Sequence, residues 1–372
     1  MRVLVDAVSA RVGGGGTYAL AQLPALARIE DIDVTIYATG ELADELGRHC
    51  PDTRIVRRPP RGVLVRTAWE QFVLPFRALS HDVLYMPGNF ALFLAPRPQA
   101  LTLQNAWYFG DDVRSFRRRR CTRRRRFRVA VESAIARASI RRADVTIAVS
   151  ESMRRAVTAD LGDRANAVPV VSSAAGAPST RCSEQDLPAL QLPDTFVLSV
   201  AHDDPHKDWD GLIDTFLSAP NLPPLAVVGR CSAARRSQLE TRIDASGSRE
   251  RVTLLGMISD RRLLQDLYGR AACCVVHSYF ESYGLTAAEA LSAGTRVVAS
   301  DIAAHREICG AAALYYPPSD LEALADAVRR GLAGPRPQSA LSGRGRTWNE
   351  NAEELAAILR ELGKRRPARR RP

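Results

Sequence analysis

The stretch Cys273-Cys274-Val275-Val276-His277 constrains the fold most: a short, nearly unbroken apolar run, then a turn glycine at Gly284 and a helix-patterned segment Thr286–Leu291 that stops at Gly294. A run this short and this apolar predicts a strand covered on both faces, as in a parallel sheet flanked by helices. The same punctuation recurs. Val3–Asp6, Val34–Ile36, Val83–Met86, Ala100–Leu103 and Val145–Val149 read as one set of strands, with Ser150 as the cap of a helix Glu151–Leu161. Phe196–Val200, Leu225–Val228, Val252–Leu255, Cys273–Val276 and Val297–Ala299 read as a second set. Between the sets, Val168–Asp194 holds Ser, Ala and Pro without periodicity, which predicts a linker. The 372 residues are 46% hydrophobic, enough for two cores of ordinary domain size. The expectation is an α/β chain with a doubly wound parallel sheet built twice.

In open parallel sheets, ligands gather where the carboxyl end of a strand meets a helix N-terminus, because unpaired N–H groups and the helix dipole point there. Glu281 and Glu289 bracket such a turn. Peptide groups from Gly284 to Ala287 can face an anion, and a carboxylate on either side can hold hydroxyls, a combination suited to a nucleotide sugar. Spacing alone leaves another reading open, since Thr286-Ala-Ala-Glu289 also fits a capping box in which Glu289 only satisfies backbone donors. His202-Asp-Asp-Pro205-His206-Lys207 follows the first strand of the second set. By its place alone, a lysine at a helix start is ordinarily a solvated one. Gly13–Gly16, between a strand and the helix Thr17–Ala27, permit close backbone approach to an anion or acceptor; they do not form G-x-G-x-x-G, so a dinucleotide site is not expected. Asp31-Ile-Asp33, Asp208-Trp-Asp210 and His202-x3-His206 resemble fragments of metal sites, but none has a third ligand at motif spacing. His277 and Gln104-Asn105 are further polar candidates beside strand ends.

From Glu281 to Ser300 the chain reads E-S-Y-G-L-T-A-A-E-A-L-S-A-G-T-R-V-V-A-S. This resembles the E-x7-E segment of retaining GT-B glycosyltransferases of family 4, usually E-G/S-F-G-L-x-x-x-E-A-x-x-x-G-x-P-V-V-A-S, with Arg296 where proline is usual. The resemblance implies two Rossmann-like domains facing a central cleft. It implies an acceptor-side domain 1–170 closed by a C-terminal helix 346–363, a linker 171–194, a nucleotide-sugar domain 195–345 and a basic tail 364–372. Lys207 and Glu281 would be the catalytic pair, Lys207 stabilising the leaving diphosphate and Glu281 holding hydroxyls of the donor sugar rather than attacking it. Glu289 would bind the ribose, and Ser282, Tyr283, Gly284, Leu285 and Thr286 would complete the donor site. His202 stands where an arginine is usual, so a second cation on the diphosphate requires either a protonated His202 or Arg230. Gly14, Gly15, Gly16 and Asn105 would lie on the acceptor side; relatives often place His-Asp where this chain has Gln104-Asn105. The reaction implied is transfer from a nucleotide-diphospho-sugar to a hydroxyl acceptor with retention of configuration, and no cofactor or metal is expected.

The net charge of +11 is local. Ten arginines lie between Arg114 and Arg128 and six basic residues between Lys364 and Arg371; setting these sixteen charges aside leaves −5. The first cluster leads into a helix pattern with Phe127, Val131 and Ile135 on one side. Apolar stripe plus dense positive charge suits an anionic membrane surface along Arg117–Arg128 or a lipid-linked phosphate, each arginine near lipid contributing about 1 kcal/mol; a solvated, partly disordered loop is the alternative. Phe116 and Phe127 alone interleave the arginines, which argues against nucleic acid. A GT-B-shaped sugar-nucleotide epimerase, and an anion- or nucleic-acid-binding protein using the Arg114–Arg128 cluster, are the competing functions. No apolar run has membrane-spanning length, and the chain opens directly into a strand, so a cytoplasmic protein, peripheral on the membrane's inner face at most, is expected. Seven cysteines fit neither a disulfide framework nor a metal pattern.

Overall fold

The computed structural model describes residues 1–10, 14–58, 62–162, 168–174, 190–334 and 346–364. They divide into two compact units, one from the described residues of Met1–Ala174 and Arg346–Pro372, the other from those of Ala175–Gly345.

The first unit runs β1 (Arg2–Asp6), α1 (Gly14–Ala27), β2 (Asp33–Thr39), α2 (Gly40–His49), β3 (Arg54–Arg58), α3 (Val63–Phe72), α4 (Leu74–Arg77), β4 (Val83–Met86), β5 (Gln99–Leu103), α5 (Asp111–Arg120), α6 (Arg123–Arg142), β6 (Val145–Ala148) and α7 (Glu151–Leu161). The second runs β7 (Val197–Val200), α8 (Trp209–Ser218), β8 (Leu225–Val228), α9 (Ala233–Ala245), β9 (Val252–Gly256), α10 (Arg261–Arg270), β10 (Cys273–Val276), α11 (Leu285–Ser292), β11 (Val297–Ser300), α12 (Ala303–Cys309), β12 (Ala313–Tyr316) and α13 (Leu321–Ala333). A last helix, α14 (Trp348–Lys364), returns to the first unit.

Each unit holds a six-stranded parallel sheet, ordered β3-β2-β1-β4-β5-β6 and β12-β11-β10-β7-β8-β9. Successive residues of a strand feed opposite faces: Val197 joins the core formed with α8 and α13, and Leu198 the core formed with α10 and α11. That two-sided burial is why the central strands are continuous apolar runs. In both sheets the order reverses at the first strand, between β1 and β4 and between β7 and β10. A crevice opens at the carboxyl ends of strands at such a reversal. The loops after β7 and β10 therefore emerge side by side.

α14 packs on α1. Leu355, Leu359 and Leu362 are buried with Leu23 and Leu26, each such side chain contributing about 1.5–3 kcal/mol. Gln22 Nε2 donates to Tyr18 Oη (2.6 Å) and to Asn351 Oδ1 (2.7 Å), and Tyr85 Oη donates to Gln22 Oε1 (2.7 Å). Asn351 Nδ2 in turn donates to the Ser172 carbonyl. These contacts fix the helix by direction as well as by area. Ser150 caps α7 as expected, its Oγ accepting from Met153 N at 2.9 Å. Among the described residues, no helix is long and apolar enough to cross a membrane.

Candidate functional site

The site of the second unit is built from the loops after β7 and β10. Tyr279 N donates to the His206 carbonyl (2.9 Å), the Phe280 ring stacks on His206 (centroids 4.8 Å apart, 15° between planes), and Tyr279 Oη donates to Asp208 Oδ2 (3.2 Å). Asp208 sits at φ +40°, a left-handed conformation that Asp tolerates, and caps α8 by accepting from Gly211 N. With the two loops clamped, Lys207 Nζ donates to Glu281 Oε1 and the two form an ion pair. Burial opposes ionisation of Glu281, but the Lys207 ammonium outweighs it and holds the carboxyl below its ordinary value.

Beyond Glu281 the chain turns through Gly284, at φ +106°, into α11. Ala288 N is bonded to the Gly284 carbonyl; the amides of Leu285, Thr286 and Ala287 precede it and have no carbonyl within the helix to bond. Ser282 is half-buried and Tyr283 buried on the way in. The capping-box alternative is not realised. Gly284 is the cap residue, Thr286 Oγ1 donates to the Val200 carbonyl (3.2 Å), and Glu289 turns inward. Glu289 accepts from Arg261 Nη2 (2.8 Å) and Tyr268 Oη (3.1 Å). Two accepted bonds leave a carboxylate with further lone pairs.

The structure corrects one route to a second cation. Burial, then the charges of Arg230 and Lys207, push the His202 imidazole below its ordinary value, and Arg230 N donates to its Nδ1 at 3.1 Å. His202 is thus a neutral ring carrying its proton on Nε2. The exposed Arg230, whose backbone it holds, is the remaining cation. The D-x-D fragment is committed elsewhere: Asp208 caps α8, and Asp210 pairs with Arg235 and Arg242. Among the described residues, no group of three or more His, Cys, Asp or Glu is placed to hold a metal ion. His277 is buried, its Nδ1 bonded to Tyr316 Oη at 2.7 Å.

Sequence reasoning missed His305. Its Nδ1 donates to the Ser300 carbonyl (2.9 Å), so in the neutral ring Nε2 carries a lone pair, and that buried atom has no hydrogen-bond partner among the described residues. A Cβ built on Gly284 would lie 3.4 Å from its Cδ2, which places the ring directly behind the turn. A single histidine in an otherwise ordinary helix gives no sequence signal.

In the first unit, Gly13 lies outside the described residues, and Gly14, Gly15 and Gly16 are the first turn of α1 rather than a loop before it. Their N–H groups belong to the open end of a helix at the sheet reversal. A Cβ on Gly15 would lie 3.6 Å from Gln104 Oε1. Asn89 Oδ1, also unforeseen, accepts from both Gln104 N (2.9 Å) and Asn105 N (3.0 Å), and Asn105 Oδ1 accepts from Trp107 N (3.0 Å). Asp6 ends β1 in the same region. Burial pushes its carboxyl up to about 6, and burial with the charge of Asp6 pushes Glu70 of α3 up to about 8.

Residues 12–173 match the model of Glycosyltransferase Family 4, and residues 184–348 that of Glycosyl transferases group 1. The chain belongs to glycosyltransferase family 4. This family 4 chain is 33% identical over 177 residues to D-inositol 3-phosphate glycosyltransferase of Xylanimonas cellulosilytica, covering 44% of the chain and 41% of that protein. It is 29% identical over 187 residues to phosphatidyl-myo-inositol mannosyltransferase of Mycobacterium leprae, covering 49% and 48%. The chain spans less than half the length of these curated relatives. Solved structures share the fold over nearly the whole chain. Anabaena HepE in complex with UDP and glucose has a TM-score of 0.68 at 21% identity, covering 98% of this chain and 97% of that one. Sucrose-phosphate synthase of Thermosynechococcus elongatus has 0.69 at 22%, covering 98% and 96%. The fold is GT-B.

Proposed function

We propose that the protein transfers a hexosyl group from a nucleotide-diphospho-sugar to a hydroxyl acceptor with retention of anomeric configuration. The ion pair of Lys207 and Glu281 beside the open N-terminus of α11 carries this reading. The helix end and Lys207 supply positive charge where a diphosphate leaves, and Glu281 and Glu289 supply acceptors for donor-sugar and ribose hydroxyls. Arg230 serves as the second cation, so the reaction runs without a metal ion. The Anabaena neighbour's complex with UDP and glucose supports a sugar nucleotide as donor. Gly14, Gly15, Gly16 and Asn105 line the acceptor side of the first unit. We read the arginine-rich α5 and α6 as the surface that meets an anionic membrane, and polysaccharide, glycolipid or glycosylated natural-product assembly as the setting.

The test is a turnover screen of UDP-, GDP-, dTDP- and ADP-sugars, with the product anomer assigned by NMR. One donor is expected to be consumed, with its anomeric configuration kept, in chelator as in buffer, and Glu289→Ala is expected to lose this activity. An inverted product would contradict retention, loss in chelator would contradict metal independence, and interconversion of donor sugars without transfer would make the protein an epimerase.

A further inference from the structure

The arginine cluster is a constructed concavity. α5 and α6 meet at an elbow, where Thr122 Oγ1 caps α6 by accepting from Arg125 N (3.3 Å). The elbow is seated on Trp107, which meets Phe116 edge-on at 5.9 Å and carries the Arg125 guanidinium over its ring at 4.6 Å. The disordered-loop alternative is therefore excluded for this segment. Between the helices lies a cavity of about 550 Å³ lined by Arg114, Arg117, Arg118, Arg123, Arg126 and Phe127.

The charge inside is poorly balanced. Arg114 is held by Asp111 and by the buried Asp160. Arg117 is fixed by neutral groups, donating to the Trp107 carbonyl (3.3 Å) and Ser133 Oγ (3.1 Å). Burial, with the charges of Arg137 and Arg114, pushes its guanidinium below the ordinary value, the mark of cations crowded together. Arg118, Arg123 and Arg126 have no carboxylate partner among the described residues. Several guanidinium forks converging on one space are matched to phosphate oxygens.

Phe127 links this cavity to an apolar stripe. It is 74% exposed, and Val131 and Ile135 follow at 44% and 42%, one helical turn apart along α6, about 12 Å of apolar track. Of the twelve exposed large hydrophobics among the described residues, all but Met257 fall between Val63 and Ile135. Those of α3 and α4 join the end of α6 through the Phe93 segment: Gln71 accepts from Phe93 N, and Arg142 donates to the Phe93 and Ala95 carbonyls. Exposed apolar surface this concentrated marks a binding face.

We propose that the cavity between α5 and α6 binds the phosphate or diphosphate of a lipid, with the lipid chain lying along Phe127, Val131 and Ile135. This rests on, and narrows, the reading of α5 and α6 as the surface that meets a membrane. Flotation of the full chain with phosphatidylcholine vesicles, with and without a minority of a polyprenyl phosphate, tests it. Arg118→Gln/Arg123→Gln/Arg126→Gln is compared with Arg119→Gln/Arg124→Gln/Arg128→Gln, which removes the same charge from exposed arginines outside the cavity; melting curves check that both fold. The cavity variant is expected to lose binding at least about tenfold more than the control variant, Phe127→Ser is expected to weaken it, and inorganic pyrophosphate to compete poorly. Equal losses in the two triple variants would reduce the site to diffuse attraction. Full competition by pyrophosphate, or unchanged binding by Phe127→Ser, would make it a site for a free anion. Vesicle binding without donor turnover sinks the transferase reading alone; turnover without vesicle binding sinks the lipid site alone.

Discussion

Lys207 and Glu281 keep only 16% and 15% of their side chains in contact with solvent, so each is the other's main counter-charge. Lys207→Ala strands the Glu281 carboxylate and is expected to cost about 3–5 kcal/mol, while the double change with Glu281→Ala costs less than the single one; thermal unfolding measures both. Because the folded chain holds the Glu281 carboxyl below its ordinary value, the pair's contribution is complete above the unfolded value of about 4.5 and fades as pH falls through the folded one. Glu70 behaves oppositely. Burial and the charge of Asp6 raise it to about 8, so the folded chain holds a proton that the unfolded chain has lost, and stability falls as pH rises toward about 8. Glu70→Gln is expected to flatten that slope, measured by denaturant unfolding at a series of pH values. Lys207 and both glutamates were legible because a motif names them. Asp6, Glu70, Asn89 and His305 were not, since their meaning comes from neighbours distant in sequence: Glu70 from Asp6, and Asn89 from the amides of Gln104 and Asn105.

Strand ends set the site, and two glycines set the strand ends. A Cβ on Gly229 would fall 1.7 Å from the Ala201 carbonyl oxygen, inside the contact that brings the loops after β7 and β8 together. Gly229→Ala is therefore expected to abolish folding of the second unit, seen as loss of its cooperative unfolding transition. Gly284→Ala is milder. It forces alanine to φ +106° and against His305, an expected cost of about 1–3 kcal/mol with loss of donor binding, measured by unfolding and titration. The central strands were legible as apolar runs because they are buried on both faces. Of the four edge strands, β6 and β9 were legible and β3 and β12 were not: Arg54-Ile-Val-Arg-Arg58 mixes charge with β-branching, and Ala313–Leu314–Tyr315 stays half-buried. The glycines of α1 were assigned to a loop because glycine is a poor helix former, yet the chain begins its helix within them.

Each unit owns a core, and the first borrows its last piece from the far end of the chain. α14 supplies Leu355, Leu359 and Leu362 to that core and Asn351 to the network of Gln22, Tyr18 and Tyr85. Removing residues 346–372 is expected to unfold the first unit, because it exposes the apolar face of α1 and takes Asn351 from the buried Gln22 amide; the second unit, expressed as 190–334, is expected to stay folded, and circular dichroism with thermal melting checks both. The return of this helix was an inference from resemblance, since nothing in its own pattern names the surface it covers. The doubly wound sheets and the residues proposed to hold the donor share one origin, a strand ending against a helix that opens with unpaired amides. The most direct test of that claim is calorimetric titration of the full chain, and of Lys207→Ala, with UDP, GDP, dTDP and ADP. One nucleotide diphosphate is expected to bind, and Lys207→Ala to weaken it by about tenfold or more, a difference of about 1.4 kcal/mol. Binding of none of the four, or equal binding by Lys207→Ala, would contradict a diphosphate site at Lys207.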